Sequence, residues 1–157
     1  MNRPPTTHVF IQPAADHVES MDWASMLLAM YAKWAEKHGF SIELQSHPGE
    51  KAGIMFGHLT IKAGVLEKLG KETGIHRFLR ISPHDSKHRR HTSFASVMVA
   101  DKPEELPSGT EDIRRAEAQR IRSYVLWPYT LVTDHRSGKK STEIQSVLAG
   151  DLDLFLE

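Results

Sequence analysis

Cysteine is absent from the 157 residues, which excludes disulfides, thiolate metal sites and a cysteine nucleophile. Long apolar runs are absent too. No stretch reaches the roughly 18 consecutive apolar residues of a membrane helix, and the opening MNRPPTTHVF shows no hydrophobic signal region. A cytoplasmic location and no membrane partner are therefore expected. Net charge is the third absence: 20 Lys and Arg balance 20 Asp and Glu. Chemistry is left to His, Asp, Glu, Ser and the cations. With 39% hydrophobic and 25% charged residues, a chain of this length can bury a sizeable core as one domain.

The charge is unevenly spread. Between His76 and His91 stand five Lys or Arg, four His and a single Asp, most of them within SPHDSKHRRHTSF (82–94). Such a patch is either solvated surface or a directed contact for anions, and charge alone does not choose.

Hydrophobic periodicity places the patch between strands. THVFIQ (7–12), bounded by prolines, reads as an opening strand. From Glu19 to His38, Trp23, Met26, Leu27, Met30, Tyr31 and Trp34 recur at helical spacing, and Gly39 follows where a helix stops. Packing against a sheet is the expected use of that stripe. FSIELQS (40–46) and AGIMFGHLTIKA (52–63) predict two paired strands, and Val65 to Leu69 a short helical turn. IHRFLRIS (75–82) and TSFASVMVA (92–100) predict two more strands, so the cationic segment is a loop held at both ends.

DKPEELPSGTED (101–112) breaks this pattern with prolines, a glycine and a run of acids, as in a linker or exposed loop. IRSYVLWPYTLVTD returns to strand character, with Trp127, Pro128 and Tyr129 expected to pack this segment onto the long helix rather than to stack a base, and HRSGKKS reads as a turn. TEIQSVLAG predicts a short helix behind a threonine cap, and DLDLFLE an amphipathic end. His76 and Arg77 read as sheet-face residues with local partners.

Three ordered blocks, DWASMLLAMYAKWAEKHGF, KETGIHRFLRISPHDSKHRRHTSFASV and IRSYVLWPYTLVTDHRSGKKSTEIQSVLAGDLDLFL, resemble bacterial class I peptide chain release factors, the type that reads UGA and UAA. The resemblance implies an α+β fold, a mixed sheet packed on one long helix, like the family's codon-recognition superdomain. It implies a single codon-recognition-like unit over residues 1–157. In the family, a catalytic domain bearing Gly-Gly-Gln is inserted between the second and third blocks. Here an acidic linker (101–115) fills that place, and no two glycines are adjacent anywhere in the chain. Peptidyl-tRNA hydrolysis by this chain is not expected. The family's N-terminal helical domain has no counterpart either.

On this resemblance the family's Ser-Pro-Phe tripeptide falls on Ser82, Pro83 and His84, and its His-Thr pair on His91 and Thr92. A serine hydroxyl can serve either purine, an imidazole can stack between splayed bases, and a threonine hydroxyl can meet a base edge. Arg80, Lys87, Arg89 and Arg90 are the expected phosphate or ribosomal RNA contacts. Glu19, at the start of the long helix, is carried over as well. Histidine replaces the family's phenylalanine, and Ala14, Ala15, Asp16 and His17 replace its glycine-rich turn. The implied partners are the small-subunit decoding centre and mRNA. The alternatives are an off-ribosome RNA-binding regulator and the codon-reading half of a split factor completed by a separate Gly-Gly-Gln chain. No cofactor is expected. A metal held by His84, His88 and His91 at helical spacing is disfavoured, because the adjacent Arg89 and Arg90 oppose a dication.

Overall fold

The computed structural model describes residues 4–103 and 120–157. Among them, eight strands are found: β1 (Thr7–Pro13), β2 (Ile42–Pro48), β3 (Ile54–Ile61), β4 (Gly74–Ile81), β5 (Arg90–Ala100), β6 (Arg120–Val125), β7 (Leu131–Asp134) and β8 (Lys140–Ser141). They form one mixed sheet in the order β2-β3-β1-β5-β4-β6-β7-β8. Only β4 and β6 run parallel; every other neighbouring pair is antiparallel. The α+β class agrees with what the resemblance implies, and the paired β2 and β3 with the hydrophobic pattern.

The long helix α1 (Val18–Lys37) contains neither glycine nor proline and is rich in Ala, Met, Leu and Lys, residues that lose little freedom in a helix. Its stripe of Trp23, Leu27, Met30, Tyr31 and Trp34 is buried against the sheet. Trp23 stacks on Phe78, meets Tyr124 edge-on, and donates its indole N–H to the His76 carbonyl at 3.0 Å. The helix ends where Gly39 turns to φ 78°. There Gly39 N–H donates to the Glu36 carbonyl and Phe40 N–H to that of Ala35, the paired bonds of a Schellman stop. At the other end Gly53 is required: a Cβ there would fall 2.1 Å from the Met21 carbonyl carbon, so only glycine lets the β2–β3 connection lie against the first turn of α1.

Shorter elements complete the α1 side. Helix α2 (Leu66–Leu69) leads into a 3-10 turn (Gly70–Glu72), and α3 (Ile144–Leu148) and α4 (Asp153–Leu156) close the chain. The C-terminal segment is amphipathic as expected, with Phe155 and Leu156 buried and Leu154 exposed.

Two expectations fail. Thr142 does not cap α3, whose N-cap position is Glu143 without a side-chain bond; Ser141 Oγ accepts the Glu143 N–H at 3.1 Å, a turn just ahead of the helix rather than a cap. The strand character of 121–134 divides into β6 and β7, which pair across a turn at 126–130 whose Trp127–Pro128 bond is cis, and the packing expected of that turn does not occur. Trp127 and Tyr129 are 47% and 60% exposed and do not pack inward. Tyr124 and Val132, side by side in the register, do that instead.

The acidic linker lies almost wholly outside the described residues; its first members, Asp101, Lys102 and Pro103, are exposed. Strand register gathers the remaining connections. Pro13 pairs with Ala95, Ile81 with Arg90, and Val125 with both Leu79 and Leu131. The start of α1, the β4–β5 loop and the β6–β7 turn therefore share one end of the sheet.

Candidate nucleic-acid interface

The segment joining β4 to β5 is a closed loop. Ser82 N–H donates to the Arg89 carbonyl at 3.2 Å, Asp85 N–H to that of Ser82 at 3.3 Å, and His88 N–H to that of Asp85 at 2.9 Å. Lys87 N–H donates to Asp85 Oδ1 at 2.9 Å, an Asx turn of the kind aspartate favours. His88 takes φ 52°, a left-handed conformation uncommon outside glycine but more frequent in histidine than in most residues. The three histidines are thus spread over turn and strand, and no helix gathers His84, His88 and His91 on one face.

Beneath the loop, the first two turns of α1 supply two carboxylates at helical spacing, Glu19 and Asp22. Arg80, from the end of β4, grips Glu19 with two bonds of 2.8 and 2.9 Å and reaches Asp22 at 2.6 Å. Ser82 Oγ donates to Glu19 Oε1 at 2.7 Å and accepts the His84 N–H at 3.1 Å. Burial pushes the Glu19 carboxyl up, but the Arg80 bonds, the Ser82 hydroxyl and the Arg80 charge outweigh it, and the net is a pKa below the ordinary value. Asp22 is lowered in the same way: burial opposes, while the bonds from Arg80 and His84 prevail.

His84 Nε2 sits 3.1 Å from Asp22 Oδ2, its side chain 27% accessible. Across the loop, Asp85 accepts Arg89 Nε at 2.7 Å and lies 2.8 Å from His91 Nε2. Those bonds, Arg89 first, then His91 and the Lys87 N–H, hold the Asp85 carboxyl well below the usual range. His17, Val18, Glu19, Ser82, His84, Asp85 and His91 enclose a cleft of about 300 Å³ between helix start and loop.

The ten residues singled out from the sequence fall into four groups. Glu19, Ser82, His84 and His91 meet at the cleft. Arg80 faces inward and braces it rather than pointing to solvent. Pro83, Lys87, Arg89 and Arg90 are exposed around the loop. Thr92 is exposed but paired with Leu79, whereas His91 is paired with Arg80. Consecutive strand residues face opposite ways, so Thr92 and Arg90 lie on the sheet face away from the cleft.

Sequence reasoning missed Asp22 and Asp85, which together engage Arg80, His84, Arg89 and His91. The signal for Asp22 was its place three residues after Glu19 on one helix. Among the described residues Arg80 and Arg89 of the patch are ion-paired, while Arg77, Lys87 and Arg90 have no ion-pair partner.

A family model for the PCRF domain matches residues 6–97. Peptide chain release factor 2 of Thermotoga maritima is 31% identical over 235 residues, covering 98% of this chain and 64% of the relative. Its counterpart in Thermosipho melanesiensis is 33% identical over 231 residues, covering 96% and 63%. A solved structure of RF2 of Thermus thermophilus matches with a TM-score of 0.83 at 28% identity, over 98% of this chain and 66% of that one. The chain spans less than two thirds of the length of these relatives. Alignments of 235 and 231 positions against 157 residues also leave the relatives with residues that have no counterpart here. The PCRF match runs over more than half of the chain and includes α1, the β4–β5 loop and the cleft between them: the chain belongs to the peptide chain release factor family.

Proposed function

We propose that this protein acts in translation termination as a codon-binding, release-factor-like module, occupying the small-subunit decoding site on mRNA without hydrolysing peptidyl-tRNA itself. The observation that carries the reading is the cleft, in which the helix start and the β4–β5 loop present His84 and His91 over a braced floor of Glu19, Arg80 and the buried Ser82. Rigid presentation of a few polar and stacking groups is what base recognition requires, since the ordering cost is met before RNA arrives. Lys87 and Arg90 supply charge for the flanking phosphates.

The absence of hydrolysis rests on the sequence, in which no two glycines are adjacent and the family's Gly-Gly-Gln therefore has no match. Residues 1–157 act as one codon-recognition-like unit, with 101–115 standing where the family carries its catalytic insertion. Hydrolysis, where needed, would come from a separate chain bearing that motif.

Binding to ribosomes programmed with UGA, UAA, UAG or a sense codon in the vacant A site tests the reading, with peptide release measured in the same samples. Saturable, codon-dependent binding with release at background is the expected result. Release near the rate of an intact factor contradicts it. An off-ribosome RNA role is favoured by one feature: Ala15 and the carboxylate of Asp16 are exposed beside the cleft, where the family has a glycine-rich turn. Equal affinity for free RNA and programmed ribosomes would select that reading.

A further inference from the structure

The turn between β6 and β7 carries the two most exposed aromatic side chains among the described residues, Trp127 at 47% and Tyr129 at 60% accessible. Large aromatic rings are costly to leave in water, burying 150–250 Å² when they find a partner. Neither the indole N–H nor the phenol hydroxyl makes a hydrogen bond among the described residues. By contrast, the protein's other two tryptophans, Trp23 and Trp34, are fully packed and hydrogen-bonded.

The turn's location gives these rings their meaning. Leu126 N–H donates to the Leu79 carbonyl at 2.8 Å, so the chain leaves β6 alongside the last residues of β4. On the far side of β4, Ile81 pairs with Arg90. With strands spaced about 4.8 Å apart, the turn lies roughly two strand widths from Arg90 and the cationic loop, at the same end of the sheet.

We infer that Trp127 and Tyr129 form a stacking platform for unpaired nucleobases of the RNA whose codon the Ser82–His91 cleft holds. The inference rests on the proposed function and extends it from the codon to its neighbouring nucleotides. Two exposed aromatic rings at the same end of the sheet as unneutralised cations, here Lys87 and Arg90, are the combination that single-stranded nucleic acid engages, rings taking base faces while cations meet phosphates. A purely apolar partner would leave those cations without a counterpart. The proline between the two rings fixes its own φ and reduces the freedom lost when the rings are immobilised.

Tryptophan fluorescence tests this directly, because Trp127 is the one tryptophan open to solvent. The intact protein is titrated with small ribosomal subunits carrying either an mRNA with UGA in the A site or the same mRNA ending just beyond that codon. Binding is followed in parallel by the anisotropy of a dye on the mRNA. The longer mRNA should quench Trp127 emission and bind more tightly. Trp127→Ala should abolish the quenching and weaken binding about 5- to 100-fold, the range of one base–aromatic stack, with Tyr129→Ala weakening it less. Both variants should stay close to the parent's unfolding midpoint, since both rings are largely exposed and neither is hydrogen-bonded.

Binding that is lost with Arg89→Ala and Arg90→Ala yet unmoved by Trp127→Ala, with no change in emission, overturns the inference and leaves the functional proposal standing. Absence of any binding defeats the proposal first and the inference with it. Trp127-dependent capture of a ribosomal protein without mRNA would assign the turn to protein contact and also overturn it.

Discussion

Asp85 serves the exposed side of the loop as Glu19 serves its buried side: each carboxylate neutralises an arginine and fixes a second group at the cleft, His91 in one case and Ser82 in the other. The consequences of removing them differ. Asp85→Asn leaves the Asx turn possible but frees Arg89 and His91 from a negative charge. RNA affinity should then rise with little regard to sequence, and the plot of log affinity against log salt should steepen toward one further phosphate contact, a slope change of about 0.7 for a single strand. An unchanged slope would show that Arg89 does not meet phosphate when released. Glu19→Gln strips Arg80 of its bidentate partner within a nearly closed pocket. Stability should fall by roughly 3 kcal/mol, the lower end for a broken buried pair, because Asp22 still engages the guanidinium. Ser82→Ala, which spares the ion pair, should cost only about 1 kcal/mol. Urea denaturation orders the two. The residue types at the site were legible in the sequence, but their directions were not: Glu19, Arg80 and Ser82 bond across some sixty residues of chain, and no local pattern reveals such a pairing.

Among the elements, α1 was the most legible, since its apolar spacing and the stopping Gly39 need nothing distant to be interpreted. The β4–β5 hairpin was legible for the same reason. Where the reading failed, local preference misled. Val, Leu, Trp, Tyr and Thr around positions 125–130 are all good strand formers, and they concealed the turn that Pro128 marks. Thr142 has the chemistry of a cap, but the helix begins behind Glu143 with no side-chain cap. The hold of α1 on the sheet depends most on Trp23, which lies between Phe78 and Tyr124 and donates into β4. Trp23→Phe should keep most of the packing and lose the hydrogen bond. Trp23→Ala should cost about 3–5 kcal/mol and also weaken RNA binding, because Glu19 and Asp22 sit on the helix that Trp23 anchors. Loss of stability with unaltered affinity would separate the helix's packing from the site.

Across the whole molecule, a buried ionic cluster ties the two halves of the chain together. Arg122 of β6 bonds Glu72 at 2.6 and 2.7 Å and Asp134 of β7 at 3.1 Å, all three groups closed to solvent. Tyr31 of α1 donates to Glu72, and the Arg122 guanidinium lies over the Phe155 ring of α4. His76 completes the cluster. Its Nε2 faces the Glu72 carbonyl at 2.9 Å, which can only accept, so the ring's single proton sits there and Nδ1 accepts a hydrogen bond from the Tyr124 hydroxyl. Burial is the main reason its pKa falls to about 4. The unfolded imidazole takes its proton near 6.5, so between these values the unfolded chain binds more protons. Stability is therefore full above about pH 6.5 and declines toward pH 4, by about 3 kcal/mol from His76. His58, also lowered by burial, adds to that slope. Glu19, Asp22, Glu72 and Asp134, all held below their ordinary values, withdraw their contributions only at lower pH. His76→Gln should flatten the unfolding free energy between pH 6.5 and 4.5; an unchanged slope would move the linkage elsewhere.

Competition on the ribosome tests the central claim most directly. Ribosomes carrying peptidyl-tRNA and UGA in the A site are given a limiting amount of an intact release factor and increasing amounts of this protein, and peptide release is timed. The protein alone should release nothing, and in excess it should slow release by the intact factor, with His84→Ala and the double variant Arg89→Ala, Arg90→Ala progressively relieving the inhibition. Release rates that stay constant at saturating protein, or peptide freed by the protein alone, would contradict a codon-binding module that lacks hydrolysis.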